Sequence, residues 1–213
     1  VPIFNKLTPL KEGSLREKIE EYSRKVGYSL KNIYVIDGSK RSTKANAFFS
    51  GLGPKKTIAL YDTLIEKHGE EELVAVLAHE VGHYKKKHIF SSMIFSILEL
   101  GIMCFLFEMC MNQPIIAEAL GSSQMSFHLG LIGFSFLYSP IGLITGILSN
   151  VYSRKNEFEA DEYAKDTYDG SSLELALKKL SVDSLSNLYP HPLFVFVHYS
   201  HPPLLKRLEA LSK

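Results

Sequence analysis

Ala78-His79-Glu80-Val81-Gly82-His83-Tyr84 reads AHEVGHY, and the fold of this chain turns on how that stretch is read. Two imidazoles stand four residues apart, with a carboxylate beside the first. On a helix, positions i and i+4 point the same way, so two neutral imidazoles placed like this can hold one zinc ion. Glu80 then falls on an adjacent face, close enough to polarise a zinc-bound water without binding the metal. That is the physical content of an H-E-x-x-H motif. It makes His79 and His83 candidate metal ligands and Glu80 the candidate general base, on condition that the stretch is helical. Its surroundings favour a helix. Glu70-Glu71-Glu72 put negative charge where a helix N-terminus favours it, and Leu73, Val74, Val76, Leu77 and Val81 make the segment strongly apolar. On the motif alone, two helix histidines making ordinary hydrogen bonds remain the alternative.

Upstream, the pattern predicts a helix and a small sheet. Ser14-Leu15-Arg16-Glu17 fits a capping box. Leu15, Ile19, Tyr22 and Val26 follow as one apolar stripe, and Gly27 can stop the helix. Three β-branched or aromatic runs, Asn32 to Ile36, Ala45 to Phe49 and Thr57 to Tyr61, read as strands separated by Gly, Ser and Pro. Asp62 to His68 reads as a short helix closed by Gly69.

Downstream, the charge pattern changes. The 213-residue chain carries 24 Lys and Arg against 23 Asp and Glu, so no global charge points to nucleic acid. Yet Ile89 to Ser153 contains no lysine or arginine, and its only acidic residues are Glu99, Glu108 and Glu118. Two apolar runs fill this gap, Ile89 to Met111 and Phe127 to Ser149. At about 1.5 Å per residue each could cross a bilayer core of ~30 Å. The alternative is a pair of buried helices in a soluble core. Lys85-Lys86-Lys87 precede the pair, Arg154-Lys155 follow it, and the loop Asn112 to Ser126 has no basic residue. The positive-inside rule then puts both ends of the hairpin on the cytoplasmic side. Glu99 and Glu108 are expected to face protein or a water-filled cavity rather than lipid, and Pro140 could kink the second span. Cys104 and Cys110 lie inside the first run and make no secreted disulfide framework.

A catalytic zinc takes three protein ligands and keeps one position open. The hairpin returns the chain to the side it left, where Ser153-Arg154-Lys155-Asn156-Glu157-Phe158-Glu159-Ala160-Asp161 follows. Glu157 is therefore the candidate third ligand. Asp161, one turn on, can accept a hydrogen bond from a ligand histidine and fix its tautomer. Without H-E-x-x-H upstream, both would read as an exposed acidic face. Ser171-Ser172-Leu173-Glu174 can cap a further helix to about Leu180. A last helix is expected to start near His201, with Pro202 and Pro203 in its first turn.

AHEVGHYKKKH, two apolar spans, SRKNEFEADEYA and HYSHPPLLKRLEAL occur in that order, after PIFNKLTPL, VIDGSKRSTKANAFFSG and IALYDTLIEKH. Together these resemble the membrane zinc metalloproteases of the CAAX prenyl protease type 1 family over nearly the whole chain. The resemblance implies one zinc per chain on His79, His83 and Glu157, Glu80 as base, and Asp161 beside the ligands. It implies His201 near the substrate carbonyl, where it would stabilise the oxyanion, and Arg207 near the site. It puts Asn46 in a cleft-lining strand able to pair with an extended peptide. Read by themselves, His201 is equally a helix N-terminal residue and Arg207 a surface charge. Full members of the family carry further spans N-terminal to this region, and this chain begins at Val1 with no signal-peptide pattern. It is expected to be the C-terminal, catalytic part of a compact member.

The expected fold is mainly α with a small β-sheet, a zincin-like core continuous with a two-helix transmembrane hairpin. The expected boundaries are 1–88 for the helix, sheet and motif helix, 89–150 for the hairpin, and 151–213 for the helical part with the third ligand. The expected activity is zinc-dependent hydrolysis near the C-terminus of CAAX-type proteins, prenylated or not, in the bacterial inner membrane or the endoplasmic reticulum. The expected partners are such a protein or peptide and the lipid bilayer. A membrane-protein quality-control endopeptidase, similar to the heat-shock protease X-like group, is the alternative.

Overall fold

The structure, a computed structural model, describes residues 7–40, 47–50 and 56–213, with the side chains of 47–50 left aside. Along the chain come β1 (Leu7–Pro9), α1 (Ser14–Lys25), β2 (Leu30–Ile36), β3 (Ala47–Ser50), β4 (Lys56–Tyr61), α2 (Asp62–Lys67) and α3 (Glu70–Lys85). Then follow α4 (His88–Met111), α5 (Pro114–Ala119), α6 (Phe127–Thr167), α7 (Gly170–Asp183), α8 (Pro192–His198) and α9 (Leu204–Leu211). The chain is thus mainly helical with one small sheet, as expected. Two compact units are present. The first comprises residues 1–86, 156–190 and 202–213, the second 87–155 and 191–201.

In the first unit the sheet order is β1-β2-β4-β3. β2 and β4 run parallel, pairing Ile33 with Ile58 and Val35 with Leu60. β1 and β3 add antiparallel edges. The central strand β4 buries Ile58, Ala59 and Leu60 in succession, as a strand covered on both faces does. β1 escaped sequence reading because it has three residues and contains Pro9, a residue tolerated at a sheet edge.

α1 buries Ile19 and Tyr22 and packs Leu15 and Val26 against the core, following its stripe. It stops at Gly27, whose φ of +61° suits a residue without Cβ. Its start corrects the capping box. Gly13 is the N-cap with no side-chain cap, and the Ser14 hydroxyl instead donates to Glu70 at the head of α3. Lys18 joins there, 2.9 Å from Glu70 and 2.7 Å from Glu71. A tertiary partner has displaced the local one. α7 likewise starts two residues early, with Asp169 accepting from the Ser171 and Ser172 amides. Asp is as good an acceptor there as Ser. α9 begins at Leu204 rather than near His201, with Pro203 as its N-cap. The core gathers Leu73, Val74, Leu77 and Val81 of α3 with Leu173 and Leu177 of α7 and Leu211 of α9. Fully buried aliphatic side chains of this size each contribute about 1.5–3 kcal/mol.

In the second unit, α4 and α6 are long and apolar enough to cross a membrane. Their most apolar stretches are almost wholly unburied, with Ile97 at 60%, Phe105 at 62% and Phe136 at 74% exposure. Side chains so exposed are not those of soluble core helices, so that alternative falls. Glu99 accepts the Thr145 hydroxyl of α6 at 2.8 Å. Glu108 is exposed near the end of α4 and accepts from Asn112 at 2.9 Å. Pro140 lies inside α6, and the helix runs on past it to Thr167. The apolar run ends at Ser149, but the helix does not.

The buried phenols make the first unit sensitive to alkali. Burial pushes Tyr22, whose hydroxyl pairs with Thr167 Oγ1 at 2.8 Å, up to about 12, and does the same to Tyr28. An unfolded phenol ionises near 10. Between pH 10 and 12 the unfolded chain therefore loses these protons before the folded one, and stability falls as pH rises. Below pH 10 the effect is fully present and flat. Urea midpoints measured from pH 9 to 11.5 should decline through this window. The Tyr22→Phe, Tyr28→Phe double variant should decline less steeply.

Candidate active site

His79 and His83 lie one turn apart on α3, and Glu157 and Asp161 one turn apart on α6, all in the first unit. α3 and α6 approach closely here because of Gly82. A Cβ at Gly82 would sit 3.1 Å from the Ala160 Cα and 3.1 Å from its carbonyl oxygen. Ala78, Ala160 and Ala164 are fully buried. Small residues on facing helices thus set the separation at which a carboxylate from one reaches two imidazoles on the other. Sequence reading passed over Gly82. Its signal was a lone glycine inside an otherwise good helical pattern, which marks a packing requirement.

The two Nε2 atoms are 3.1 Å apart. Glu157 presents Oε2 to His79 Nε2 at 3.5 Å and Oε1 to His83 Nε2 at 3.4 Å. Tetrahedral ligands about 2.0–2.2 Å from one ion stand roughly 3.3–3.6 Å apart. The three groups match that spacing to a few tenths of an ångström, and together they could hold a metal ion. Their protonation fits as well. His79 Nδ1 is 2.8 Å from Asp161 Oδ1. A carboxylate only accepts, so the His79 proton sits on Nδ1 and a bare Nε2 lone pair faces His83 and Glu157. Two nitrogens and a carboxylate oxygen are a donor set suited to zinc.

Asp161 is only 1% exposed. Burial alone would raise its pKa, but hydrogen bonds from Arg207 and His79 outweigh that and hold it below the usual carboxylate value. Arg207 grips it with two donors, Nε to Oδ2 at 2.8 Å and Nη2 to Oδ1 at 2.6 Å, and sets Nη1 3.4 Å from Glu157 Oε2. Burial opposes the Arg207 charge, and Asp161, Glu157 and Glu80 overcome it. Glu80 is half-buried, and its charge reaches both Arg207 and Tyr28.

Of the residues singled out in the sequence, the structure brings His79, His83, Glu157, Asp161 and Arg207 into one network. His201 belongs to the second unit, where its Nδ1 is 3.0 Å from the Ser200 hydroxyl. Asn46 lies outside the described residues. The next residue, Ala47, begins the edge strand β3. One arrangement was missed. Lys56 is buried, its ammonium 4.2 Å from the Tyr28 ring centre and 3.4 Å from that of Tyr84. Nothing local in the sequence marks three such distant residues as partners.

The family model described as peptidase family M48 matches residues 9–213. The chain belongs to that family. It is 39% identical over 216 residues to a CAAX prenyl protease 1 homolog of Oryza sativa subsp. japonica, covering 99% of this chain and 50% of that protein. It is 37% identical over 228 residues to the CAAX prenyl protease 1 of Saccharomyces cerevisiae, covering 100% of this chain and 50% of that one. A crystal structure of S. mikatae Ste24p matches the fold with a TM-score of 0.86 at 38% identity, covering 99% of this chain and 52% of that chain. This M48 chain thus spans about half the length of the relatives it matches.

Asp161→Ala tests the site without touching a candidate ligand. It removes the acceptor that fixes the His79 tautomer and frees Arg207. Zinc affinity, measured by competition with a chromophoric chelator, should fall ~10–100-fold. An unchanged affinity would show that the tautomer is set by something else.

Proposed function

We propose that this M48 chain is the catalytic part of a membrane-embedded zinc endopeptidase that cuts near the C-terminus of CAAX-type proteins. The observation that carries this reading is the spacing of His79, His83 and Glu157, with His79 held in its metal-binding tautomer by Asp161. The names of the relatives it matches support the substrate class.

Zinc, when bound, lowers the pKa of its water to about 7 and polarises the scissile carbonyl. The remaining work belongs to the chain. His79, His83 and Glu157 would hold the ion. Asp161 orients His79, and Arg207 keeps Asp161 charged and still. Glu80 takes a proton from the attacking water and hands it to the leaving amine. His201 donates to the oxygen that becomes negative in the transition state. An extended peptide, aligned at Asn46 and the edge strand β3, can add main-chain hydrogen bonds to the sheet. α4 and α6 cross the bilayer as a hairpin. The basic residues flanking it support a site on the cytoplasmic side of its membrane.

The test uses detergent-purified protein loaded with zinc, beside its Glu80→Gln variant, on one CAAX-ending peptide with and without a prenyl group. The variant should keep its zinc and lose at least ~100-fold in turnover, the lower end of what general-base catalysis contributes. The parent should cut the prenylated peptide much faster. Equal cutting of both peptides would shift the reading to membrane-protein quality control. Full activity of Glu80→Gln would remove the mechanism.

A further inference from the structure

We propose that Arg154, with Asn150 one turn before it, is a positioning residue for His201. The inference rests on the reading of His201 as the group that stabilises the oxyanion.

α8 is a seven-residue helix whose last carbonyls look beyond it for partners, and that of Val195 accepts the Tyr199 amide. Arg154 and Asn150 of α6 supply further donors. Arg154 Nη1 donates to the Val195 carbonyl at 3.0 Å and to the Tyr199 carbonyl, and Nη2 to the Phe196 carbonyl at 3.4 Å. Asn150 Nδ2 donates to the Val197 carbonyl at 2.7 Å. Four carbonyls within five residues are thus tied to one helix. A cation at a helix C-terminus is favourable in its own right. The planar guanidinium also offers several donors in a fixed fork, which a lysine ammonium cannot copy.

The segment carrying His201 is held from both sides. The Tyr199 carbonyl, bonded to Arg154, lies two residues before His201. Pro202 and Pro203, with φ restricted by their rings, lie directly after it. Little backbone freedom is left between these anchors. The two gripping residues also belong to a pattern on α6. Asn150, Arg154, Glu157 and Asp161 fall at intervals of four, three and four, which at 3.6 residues per turn keeps them within roughly 60° of arc on one helix face. A plain C-terminal cap would steady α8 and affect nothing chemical. A positioning role predicts that the effect of Arg154 passes through His201.

The zinc-loaded protein and its Arg154→Ala, Arg154→Lys, His201→Ala and Arg154→Ala/His201→Ala variants separate these roles. Arg154→Ala should lower kcat ~10–100-fold, the scale set by ångström displacements of a catalytic group. KM and the zinc content per chain should hold. Arg154→Lys should recover only part of the loss, and the double variant should be no slower than His201→Ala. Apart from turnover, the imidazole NMR signal of His201 should shift and broaden in Arg154→Ala. Losses that multiply in the double variant, full kcat in Arg154→Ala, loss of zinc, or an unchanged His201 signal would each overturn the inference. Full activity of His201→Ala would overturn it as well. In that case an inactive Glu80→Gln that retains zinc would leave the metal-site reading standing.

Discussion

A buried carboxylate sits where three helices meet. Asp161 of α6 receives the His79 imidazole of α3 and two donors from Arg207 of α9. An uncompensated charge at that depth costs several kcal/mol. The arrangement is tolerable only when both partners are present and well aligned, so each helix is constrained by the other two. Removing one partner strands a charge, which is worse than never having buried the pair. The same interaction sets chemistry as well as packing. The proton it holds on His79 Nδ1 leaves Nε2 bare toward His83 and Glu157.

Electrostatics alone would not give the spacing. The imidazoles and the Glu157 carboxylate meet at 3.1–3.5 Å because α3 and α6 come together over Gly82 and Ala160. A side chain at Gly82 would press on backbone atoms of α6, and backbone cannot swing aside as a flexible side-chain end can. Close packing is nearly incompressible. A few tenths of an ångström there would therefore pass directly to the candidate metal ligands. The glycine between the two candidate ligand histidines is best understood as part of the site's geometry.

Much of this was legible from residue spacing. H-E-x-x-H on an apolar helix, the charge-free gap and the returning carboxylates were enough to assemble His79, His83, Glu157 and Asp161, because helical periodicity is a local property. What was not legible depended on partners far away in sequence. Ser14 looked like a helix cap and instead serves Glu70. Lys56, which no local pattern marks, is buried against two tyrosine rings. Arg207 could be placed near the site only by family resemblance, since a basic residue on a short terminal helix ordinarily reads as solvated. α8 was hidden for a different reason. It is short, and its anchors sit on another helix.

The course of α6 has a physical lesson. Hydropathy ends at Ser149, and a reader of hydropathy ends the helix with it. Yet hydropathy reports what surrounds a helix, not whether the helix continues. α6 continues past Ser149 to Thr167, and only the environment of its side chains changes. Asn150, Arg154, Glu157 and Asp161 keep a helical period across that change, with polar groups in place of apolar ones. Periodicity counted over polar as well as apolar residues would have revealed one helix, and it would have marked the face on which the candidate site is built.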